Sequence, residues 1–324
     1  MDNLYQQLKQ FGQVKTNVPL AKYTTFQIGG PAKFFVIVEE TDKLVGLLNF
    51  LSGEGIDYLV MGGGSNLLFS DDGFDGVVIK LTTYNLSRLN TGSRTLSGEL
   101  TTNTIQADAG VKIGSVLNMT MQNGLSGFEW AAGVPGTVGG AVRGNAGAYG
   151  GSTSDNLLKA EIWENGEVRE ITKEECGFKY RGSYFKSNPN AIVLRAWFQF
   201  ILGDKVAVVS KVQGYLERRK NRFPPYPSAG CFFANIKLDK WPGDKSILLP
   251  KFFEIGEVPV GWIVEQVGCK GLKVGGAMVS DQHCNFIVNV DKATQADILN
   301  LVAEISERVY NKFGVELRKE VEIV

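Results

Sequence analysis

The stretch that decides the fold reads GLSGFEWAAGVPGTVGGAVRGNAGAYG and runs from Gly124 to Gly150. Glycine and alanine fill many of its positions, so it loses much backbone entropy on folding and contributes few bulky side chains to a core. We therefore expect a flat ligand to fill the space beside it, although a long connecting loop is the alternative. Pro135 stiffens the turn. The glycines that can bring backbone N–H groups close to a ligand are Gly133, Gly136, Gly139 and Gly140.

A second glycine cluster lies upstream, where the apolar run Asp57 to Met61 ends in Gly62-Gly63-Gly64-Ser65-Asn66. Consecutive glycines followed by a serine and an asparagine present several N–H donors and a hydroxyl to a small volume, which is the chemistry of an anion nest for a pyrophosphate. No lysine follows the cluster, so it is not a P-loop, and it lacks the spacing of a Rossmann fingerprint. A simple tight turn is the alternative interpretation.

Length and charge narrow the class of protein. A chain of 324 residues predicts about two domains. Lys plus Arg and Asp plus Glu both number 34 and are interspersed, which argues against a nucleic-acid surface. The N-terminus lacks the apolar core of a signal peptide, and no stretch approaches a membrane span. We expect a soluble cytoplasmic protein, a monomer, with no nucleic-acid partner and no membrane insertion.

Cysteine and histidine usage predicts reduced thiols and no metal site. The four cysteines have no metal-ligand spacing, and a single histidine makes a zinc site unfavourable. His283 itself is typical of a hydrogen-bonded structural residue. The cysteines are Cys176, Cys231, Cys269 and Cys284.

Hydrophobic periodicity predicts helices and strands that alternate without a repeated βαβ rhythm, which favours an α+β fold. The polar stretch Leu89 to Ser97 is linker-like. The predicted helices cover 2–11, 44–51 and 205–220, and the predicted strands cover 33–38, 57–61, 74–81, 104–109, 160–171 and 192–202.

The last part of the chain carries the clearest helix. Ile298, Val302, Ile305 and Val309 fall on one helical face, with capping groups at Thr294 and Asp297 before them and Gly314 after them. Alternating apolar residues then predict a final strand over 315–324, in which Glu320 faces away from the core. With a proline-rich break at 224–227, we predict an N-terminal region 1–203, with subdomains of about 1–80 and 81–203, and a C-terminal domain 204–324.

Several motifs together resemble a known family. The order of Tyr23-Thr24-Thr25-Phe26, the two glycine clusters, Tyr180-Arg181-Gly182-Ser183, Pro227 to Asn235, Lys273 to Ala277 and Glu320-Val321 is similar to that of UDP-N-acetylenolpyruvoylglucosamine reductases. The resemblance covers nearly everything from about residue 20 onward. It implies a two-subdomain FAD-binding region of the PCMH type followed by an α+β substrate-binding domain.

The resemblance also implies an activity and its residues. The family comprises FAD flavoproteins, oxidoreductases that use NADPH to reduce an enolpyruvyl UDP-sugar in peptidoglycan synthesis, and thus serve cell wall biogenesis, cell shape and cell division through the cell cycle. Implied FAD contacts are Tyr23, Thr25, Gly62, Gly63, Gly64, Ser65, Asn66, Leu67, Gly133, Pro135, Gly136, Thr137, Gly139, Gly140, Asn145, Ala146 and Gly147. Implied substrate contacts are Tyr180, Arg181, Ser183 and Asn235.

The implied catalytic residues are Arg181, Cys231 and Glu320. Without the family resemblance, these residues would be interpreted as an ordinary loop arginine, a core thiol and a solvated glutamate. Because they align with the family's catalytic positions, we interpret them as catalytic instead. Arg181 and a protonated Glu320 would stabilise the negative charge that forms on the substrate carboxylate. Cys231 stands where the family usually has a serine proton donor, which puts the identity of the acid in doubt. The spacing between Arg181 and Cys231 resembles the family's short-loop subclass.

Two alternatives remain open. One is a flavin-dependent alcohol oxidase of the same cofactor fold. Such enzymes often tether FAD through a histidine, and since no histidine precedes His283, we expect a noncovalent flavin. The other is a non-catalytic flavin-binding sensor, against which the full set of arginine, cysteine and glutamate argues.

Overall fold

The computed structural model describes residues 2–89 and 102–324. Most of the predicted linker 89–97 therefore lies outside the described residues. In chain order the described helices are α1 Asp2–Leu8, α2 Thr41–Gly53, α3 Ile113–Gln122, α4 Val138–Gly144, α5 Thr153–Asn156, α6 Tyr184–Ser187, α7 Lys205–Arg222, α8 Pro250–Ile255, α9 Val260–Gln266 and α10 Gln295–Phe313.

The described strands lie between these helices, in places several in succession. They are β1 Gln13–Pro19, β2 Pro31–Val38, β3 Tyr58–Met61, β4 Leu67–Leu68, β5 Phe74–Leu81, β6 Leu86–Leu89, β7 Thr102–Asp108, β8 Leu125–Ser126, β9 Gly147–Ala148, β10 Gly151–Ser152, β11 Leu157–Glu164, β12 Glu167–Thr172, β13 Ala191–Leu202, β14 Ile236–Lys237, β15 Glu257–Val258, β16 Lys273–Val274, β17 Ala277–Val279, β18 Ile287–Asn289 and β19 Glu322–Ile323.

The chain forms two compact units. The first comprises Met1–Val18, Ala32–Gly63 and Asp75–Asn221, and the second comprises Pro19–Pro31, Gly64–Phe74 and Arg222–Val324. Two short N-terminal segments thus fold with the C-terminal part. The functional division predicted at residues 203 and 204 stays a prediction.

The first unit is built on two sheets. One has the order β1-β2-β5-β3, with β3 parallel to β5, and the other has the order β12-β11-β13-β7-β6, with β8 paired to β13. β2 is buried at five of its eight positions, where it carries mostly aromatic and β-branched side chains. Helix α2 contributes Leu44, Leu47, Leu48 and Leu51 to the same core.

The second unit has a three-stranded antiparallel sheet, β16-β17-β18, and the long helix α10. The helix prediction is confirmed, because Thr294 and Asp297 form a capping box and Gly314 ends the helix in the left-handed conformation at φ 66°. The apolar face holds Ile298, Leu301, Val302, Ile305 and Val309, all buried.

Two strand predictions are wrong in detail. The predicted strand 160–171 is the hairpin β11 and β12, because the chain turns at Asn165 and Gly166 with φ of 51° and 93°. Within 315–324 the strand is limited to β19, which pairs with β4 rather than continuing the period-two pattern. Val315 and Val321 are buried as predicted, whereas Ile323 is 38% exposed.

None of the helices among the described residues is both long enough and apolar enough to cross a membrane.

Candidate active site

The two glycine-rich stretches meet in the first unit. A Cβ added at Gly62 would lie 2.0 Å from Thr137 Oγ1, and one added at Gly63 would lie 2.9 Å from the Cα of Gly136. Such distances are far below an ordinary carbon contact, so glycine is required at both positions by close packing of loop on loop. The sequence predicted glycines that leave room for a ligand. The structure shows that these glycines also allow the two loops to pack closely against each other.

The downstream glycine-rich stretch, which contains Gly136 and Gly139, is fixed by main-chain hydrogen bonds to the neighbouring segment 109–113. The N–H of Ile113 donates to Gly136 O at 3.2 Å, and the N–H of Val138 donates to Val111 O at 2.8 Å. Gly139 lies against Ala109, where an added Cβ would be 2.9 Å from the alanine methyl. At Gly140, by contrast, the nearest atom to an added Cβ is 3.8 Å away. Predicted cofactor contacts on this stretch therefore lie on a rigid loop that enters α4.

Two lysines near these loops were missed by the sequence analysis. Lys80 donates from Nζ to Gly62 O, and burial, with a smaller effect of the Lys112 charge, lowers the pKa of the Lys80 ammonium. Lys112 is bridged to Thr137 by antiparallel main-chain pairing. Neither lysine comes directly after its glycine cluster in sequence, so a P-loop pattern could not find them. The side chains supply positive charge beside backbone that is predicted to face a pyrophosphate.

The predicted cofactor residues from Thr25 to Leu67 that belong to the second unit are arranged around main-chain hydrogen bonds. The N–H of Thr25 donates to Gly64 O at 3.1 Å, and Gly64 has φ 63°. Thr25 Oγ1 is buried and has no hydrogen-bond partner among the described residues. A buried hydroxyl left in this way is expected where a ligand completes the hydrogen bonding. Tyr23 and Ser65 flank these residues in sequence and stay predicted contacts.

Asn66 and Leu67 have structural roles in the same unit. Asn66 Nδ2 donates to the backbone oxygen of Glu320 at 3.0 Å, and its own backbone oxygen accepts from the N–H of Glu322 at 3.0 Å. Leu67 pairs with Glu322 in the parallel β4–β19 ladder. These contacts join a predicted cofactor segment to the segment that carries Glu320.

Arg181 lies at the tip of a two-residue turn in the first unit. Lys179 and Gly182 exchange both main-chain hydrogen bonds, at 2.9 and 3.0 Å, so Tyr180 and Arg181 project from the closed end. Arg181 has φ 53°, which is costly for a residue with a Cβ and typical of functional positions. Its Nε is buried, and its guanidinium lies 5.5 Å from the centre of the Tyr180 ring.

Three residues that are predicted to contact a ligand form side-chain hydrogen bonds to other groups of the protein, namely Asn145, Ser183 and Asn235. Asn145, left-handed at φ 43°, accepts from the N–H of Ser154 and donates to Lys179 O. Ser183 Oγ donates to Arg143 O at 2.6 Å. Both therefore support the Arg181 turn.

The third of these residues is Asn235, in the second unit. Its Oδ1 accepts from the N–H of Val260 at 3.2 Å, where α9 begins, and its Nδ2 donates to Glu257 Oε2 at 3.3 Å. The role of Asn235 in substrate binding stays a prediction.

Ala146 and Gly147 continue the chain into a small hairpin. The N–H of Ala146 donates to Ala141 O, and Gly147 pairs with Ser152 in the β9–β10 ladder. An added Cβ at Gly147 would lie 2.5 Å from Gly151 O, so the hairpin excludes a larger residue. Here too the glycine is explained by backbone packing, while contact with a cofactor stays a prediction.

Cys231 and Glu320 are brought together in the second unit. The N–H of Glu320 donates to the carbonyl of Phe232, the residue after Cys231, at 2.8 Å. Cys231 pairs with Phe286 on its other side. Cys231 is half-buried, and Oε1 of Glu320 is shielded from solvent. The sequence separates these two residues by almost ninety positions, so only the fold could show that they lie on neighbouring segments.

The other three cysteines are more deeply buried than Cys231. Burial, together with Glu175 and Glu174, raises the pKa of the Cys176 thiol to about 12, and burial also raises the pKa of the Cys269 and Cys284 thiols. Since the thiolate is the reactive form, these three thiols are expected to be inert. Among the described residues, no group of three or more histidine, cysteine, aspartate and glutamate side chains could hold a metal ion.

Comparison with known protein families matches two parts of the chain. Residues 32–172 match the FAD binding domain, and residues 222–324 match the C-terminal domain of UDP-N-acetylenolpyruvoylglucosamine reductase. The predicted α+β fold, with an FAD-binding region followed by a family-specific C-terminal domain, is confirmed. Fold and site thus define a flavoprotein of the oxidoreductase class.

Relatives cover the whole chain. UDP-N-acetylenolpyruvoylglucosamine reductases from Caldanaerobacter subterraneus and Bacillus subtilis are 37% and 36% identical over 100% of this chain and 97% and 99% of their own. The crystal structure of the enzyme from Thermus caldophilus matches with a TM-score of 0.72 and 32% identity, over 96% of this chain and 98% of that one. The chain belongs to the UDP-N-acetylenolpyruvoylglucosamine reductase family.

Proposed function

We propose that this protein uses NADPH to reduce the enolpyruvyl group of UDP-N-acetylglucosamine enolpyruvate to the lactyl group of UDP-N-acetylmuramate, a step of peptidoglycan precursor synthesis. The observation that carries this function is identity of 36–37% to reductases of that name along essentially the full chain. The cofactor is noncovalent FAD, in agreement with the FAD binding domain matched at residues 32–172.

The residues present fit an FAD. The close packing of Gly62 on Thr137 and of Gly63 on Gly136 leaves backbone amides of the two glycines without side chains over them, and Lys80 adds positive charge for a pyrophosphate. The buried hydroxyl of Thr25 supplies a donor with no protein partner among the described residues. When bound, an FAD would supply the chemistry of hydride transfer from NADPH to the carbon–carbon double bond of the substrate.

Arg181 has the role of charge stabiliser. Addition of hydride at the terminal carbon of the enolpyruvyl group places negative charge on the conjugated carboxylate. A guanidinium is planar, permanently charged and able to donate two parallel hydrogen bonds to a carboxylate. The closed turn and left-handed backbone at Arg181 hold this group in advance of the reaction, which is how preorganised charge lowers a barrier.

Cys231 has the role of proton donor. After hydride addition, the carbon bonded to the ether oxygen must receive a proton, which comes from the Cys231 thiol and leaves a thiolate. The sum is one hydride and one proton added to the double bond, with NADPH converted to NADP⁺. Glu320 lies one main-chain hydrogen bond away from the cysteine's neighbour, and its shielded carboxyl, when protonated, donates to the substrate carboxylate.

The experiment that tests this function is an anaerobic spectral titration of the purified protein. We expect a flavin spectrum, bleaching on addition of NADPH and recovery of the flavin absorbance on addition of the enolpyruvyl sugar nucleotide. Bleaching without recovery would support a flavin-binding sensor and contradict the reductase. Bleaching of the flavin by a simple alcohol in the absence of NADPH, with recovery on admission of oxygen, would support an oxidase.

The cofactor site has its own test. In Gly63→Val, the added side chain would collide with Gly136, whose Cα lies 2.9 Å from an added Cβ. We expect the two loops to separate and the protein to purify with greatly reduced flavin content. Gly144→Ala is the matched control, because nothing lies within 4 Å of an added Cβ there. A yellow Gly63→Val protein with undiminished flavin would show that this packing is not needed for the cofactor.

We also propose that the enzyme acts in the cytoplasm as a monomer and has the short-loop layout between Arg181 and Cys231. The substrate is a water-soluble sugar nucleotide, and no described helix is long and apolar enough to cross a membrane. Light scattering of the purified protein at several concentrations tests the oligomeric state.

A further inference from the structure

Three extended segments run next to one another around the proton donor. The donor segment, residues 231–234, is bridged to Phe286 through Cys231 and to Lys319 through Phe233, both antiparallel. We name its neighbours the asparagine segment, residues 283–286, and the glutamate segment, residues 318–320. The donor segment is thus the middle member, and both of its edges are covered by chain that is distant in sequence.

Asn285 makes three hydrogen bonds between the asparagine and donor segments. Its backbone oxygen accepts from the N–H of Phe232 at 2.7 Å. Its side chain adds two more hydrogen bonds, since Oδ1 accepts from the N–H of Phe233 at 2.9 Å and Nδ2 donates to Phe233 O at 2.8 Å. The side-chain amide therefore acts as an additional peptide group in the ladder.

One peptide group connects Asn285 to Glu320. In the peptide between Phe232 and Phe233, the N–H donates to Asn285 Oδ1 and the carbonyl accepts from the N–H of Glu320. Rotation of that peptide plane would break both bonds together. It would also move Cys231, which precedes the same peptide by one residue.

The surroundings make this arrangement rigid. Asn285 is 2% exposed, and Phe232 and Phe233 are fully buried with their rings 5.3 Å apart. Water therefore cannot replace a lost hydrogen bond easily, and an unmade bond in such a place is costly. The N–H of Asn285 donates to Nδ1 of His283 at 3.3 Å, which extends the network by one residue.

We propose that Asn285 is a positioning residue that fixes the proton donor Cys231 and the carboxyl-bearing Glu320 relative to each other through the Phe232–Phe233 peptide. The proposal rests on the function proposed above, in which Cys231 delivers a proton. Asn285 touches neither substrate nor flavin in this role. Its effect should therefore appear in proton delivery and be absent from reduction by NADPH.

The test uses the full-length flavoprotein and the variant Asn285→Ala. Anaerobic stopped-flow measurement should show unchanged reduction by NADPH and reoxidation by the enolpyruvyl substrate that is roughly 10- to 100-fold slower, the size expected from a misplacement of about 1 Å. Asp297→Ala is the matched control, because it removes the carboxylate half of the capping box of α10 and the bond from the N–H of Gly276, in the same compact unit, without touching the donor segment. It should lower thermal stability and leave both half-reactions unchanged.

Asn285→Asp tests the amide itself. A carboxylate cannot donate to Phe233 O, whereas a protonated carboxyl can, and burial favours the protonated form. The ratio of its reoxidation rate to that of the wild type should rise as the pH falls from about 8 to about 6. If Asn285→Asp equals Asn285→Ala at every pH, the hydrogen bond from Nδ2 has no such role.

A readout independent of turnover separates this proposal from the proposed function. The rate at which iodoacetamide alkylates Cys231, followed by mass spectrometry of its peptide, should rise in Asn285→Ala and stay unchanged in Asp297→Ala. If wild-type flavin is not reoxidised by the substrate, the reductase function fails, and the alkylation rates still decide the role of Asn285. Unchanged alkylation and unchanged reoxidation in Asn285→Ala would overturn the proposal. Equal loss of both half-reactions together with the flavin would also overturn it.

Discussion

The Arg181 turn and the donor segment hold their functional side chains in two different ways. The turn closes within four residues through two hydrogen bonds between Lys179 and Gly182, and its geometry is local. The donor segment depends on partners at residues 285 and 318–320, which the fold brings from far along the chain. The geometry of the Arg181 turn should respond mainly to substitutions within the turn. The geometry of the donor segment should respond to substitutions in any of the distant segments that hydrogen-bond to it. Variants of Cys231, Arg181 and Glu320 separate these two behaviours.

The largest effect is expected at Cys231. Removing a positioned general acid costs roughly 100- to 10,000-fold in rate, so Cys231→Ala should show this loss in reoxidation by substrate, while reduction by NADPH is unchanged. Cys231→Ser should retain much of the activity. Single-turnover kinetics measure both half-reactions.

Alkylation provides the control for Cys231. Reagents should inactivate the wild type, more slowly with substrate bound, and spare Cys231→Ser, since burial raises the pKa of the thiols of Cys176, Cys269 and Cys284. Full turnover by Cys231→Ala, or equal sensitivity of Cys231→Ser to alkylation, would move the proton donor elsewhere.

The next effect is expected at Arg181. Glycine adopts a φ of 53° without strain, so Arg181→Gly removes the guanidinium and keeps the turn. Loss of one preorganised donor costs roughly 100- to 1,000-fold, which should appear in reoxidation and not in reduction by NADPH. The control is Arg169→Gln, which removes an arginine of the same unit whose partner is Glu164 at 2.8 Å. Normal reoxidation of Arg181→Gly would remove Arg181 from the mechanism.

A smaller effect is expected at Glu320. In Glu320→Ala the main-chain bond to Phe232 is kept, so the geometry of the ladder survives, while the carboxyl that would donate to the substrate carboxylate is lost. A hydrogen bond to a charged group is worth about 1.5–3 kcal/mol, which corresponds to a loss of roughly 10- to 100-fold in reoxidation. Glu316→Ala, at an exposed position on the same terminal segment, serves as control. The prediction is contradicted if both variants are reoxidised at the wild-type rate.

The smallest effect is a dependence of stability on pH through His283. Burial, with a smaller contribution from Arg222, lowers the pKa of this imidazole, so the folded protein favours the neutral ring. The stabilisation is complete above the unfolded pKa of about 6.5 and is lost as the pH falls through the lower folded value. His283→Gln should therefore lose less stability than the wild type between pH 7.5 and 5.5, as measured by urea midpoints. Parallel midpoints for the two proteins would contradict this.

Three elements show which parts of the fold can be predicted from short stretches of sequence and which cannot. The helix α10 follows from its apolar spacing and its capping residues, because both signals act within a few residues. The hairpin of β11 and β12 was missed because Asn165 and Gly166 turn the chain inside a run that still looks like one strand. The pairing of β19 with β4 could not be found by periodicity, since it joins Glu322 to Leu67 across the length of the chain.

The sequence by itself determined the two glycine clusters, the capped C-terminal helix, the order of motifs and, through them, the family. Each of these features depends on residues close together in sequence or on the order of motifs along the chain, so each can be recognised without knowledge of the tertiary structure. Tertiary structure alone decided that Gly63 packs on Gly136, that Lys80 donates to Gly62, and that Asn285 and Glu320 share a peptide group next to Cys231. Such contacts join residues from 18 to almost ninety positions apart, and no local periodicity or spacing encodes which of them will meet.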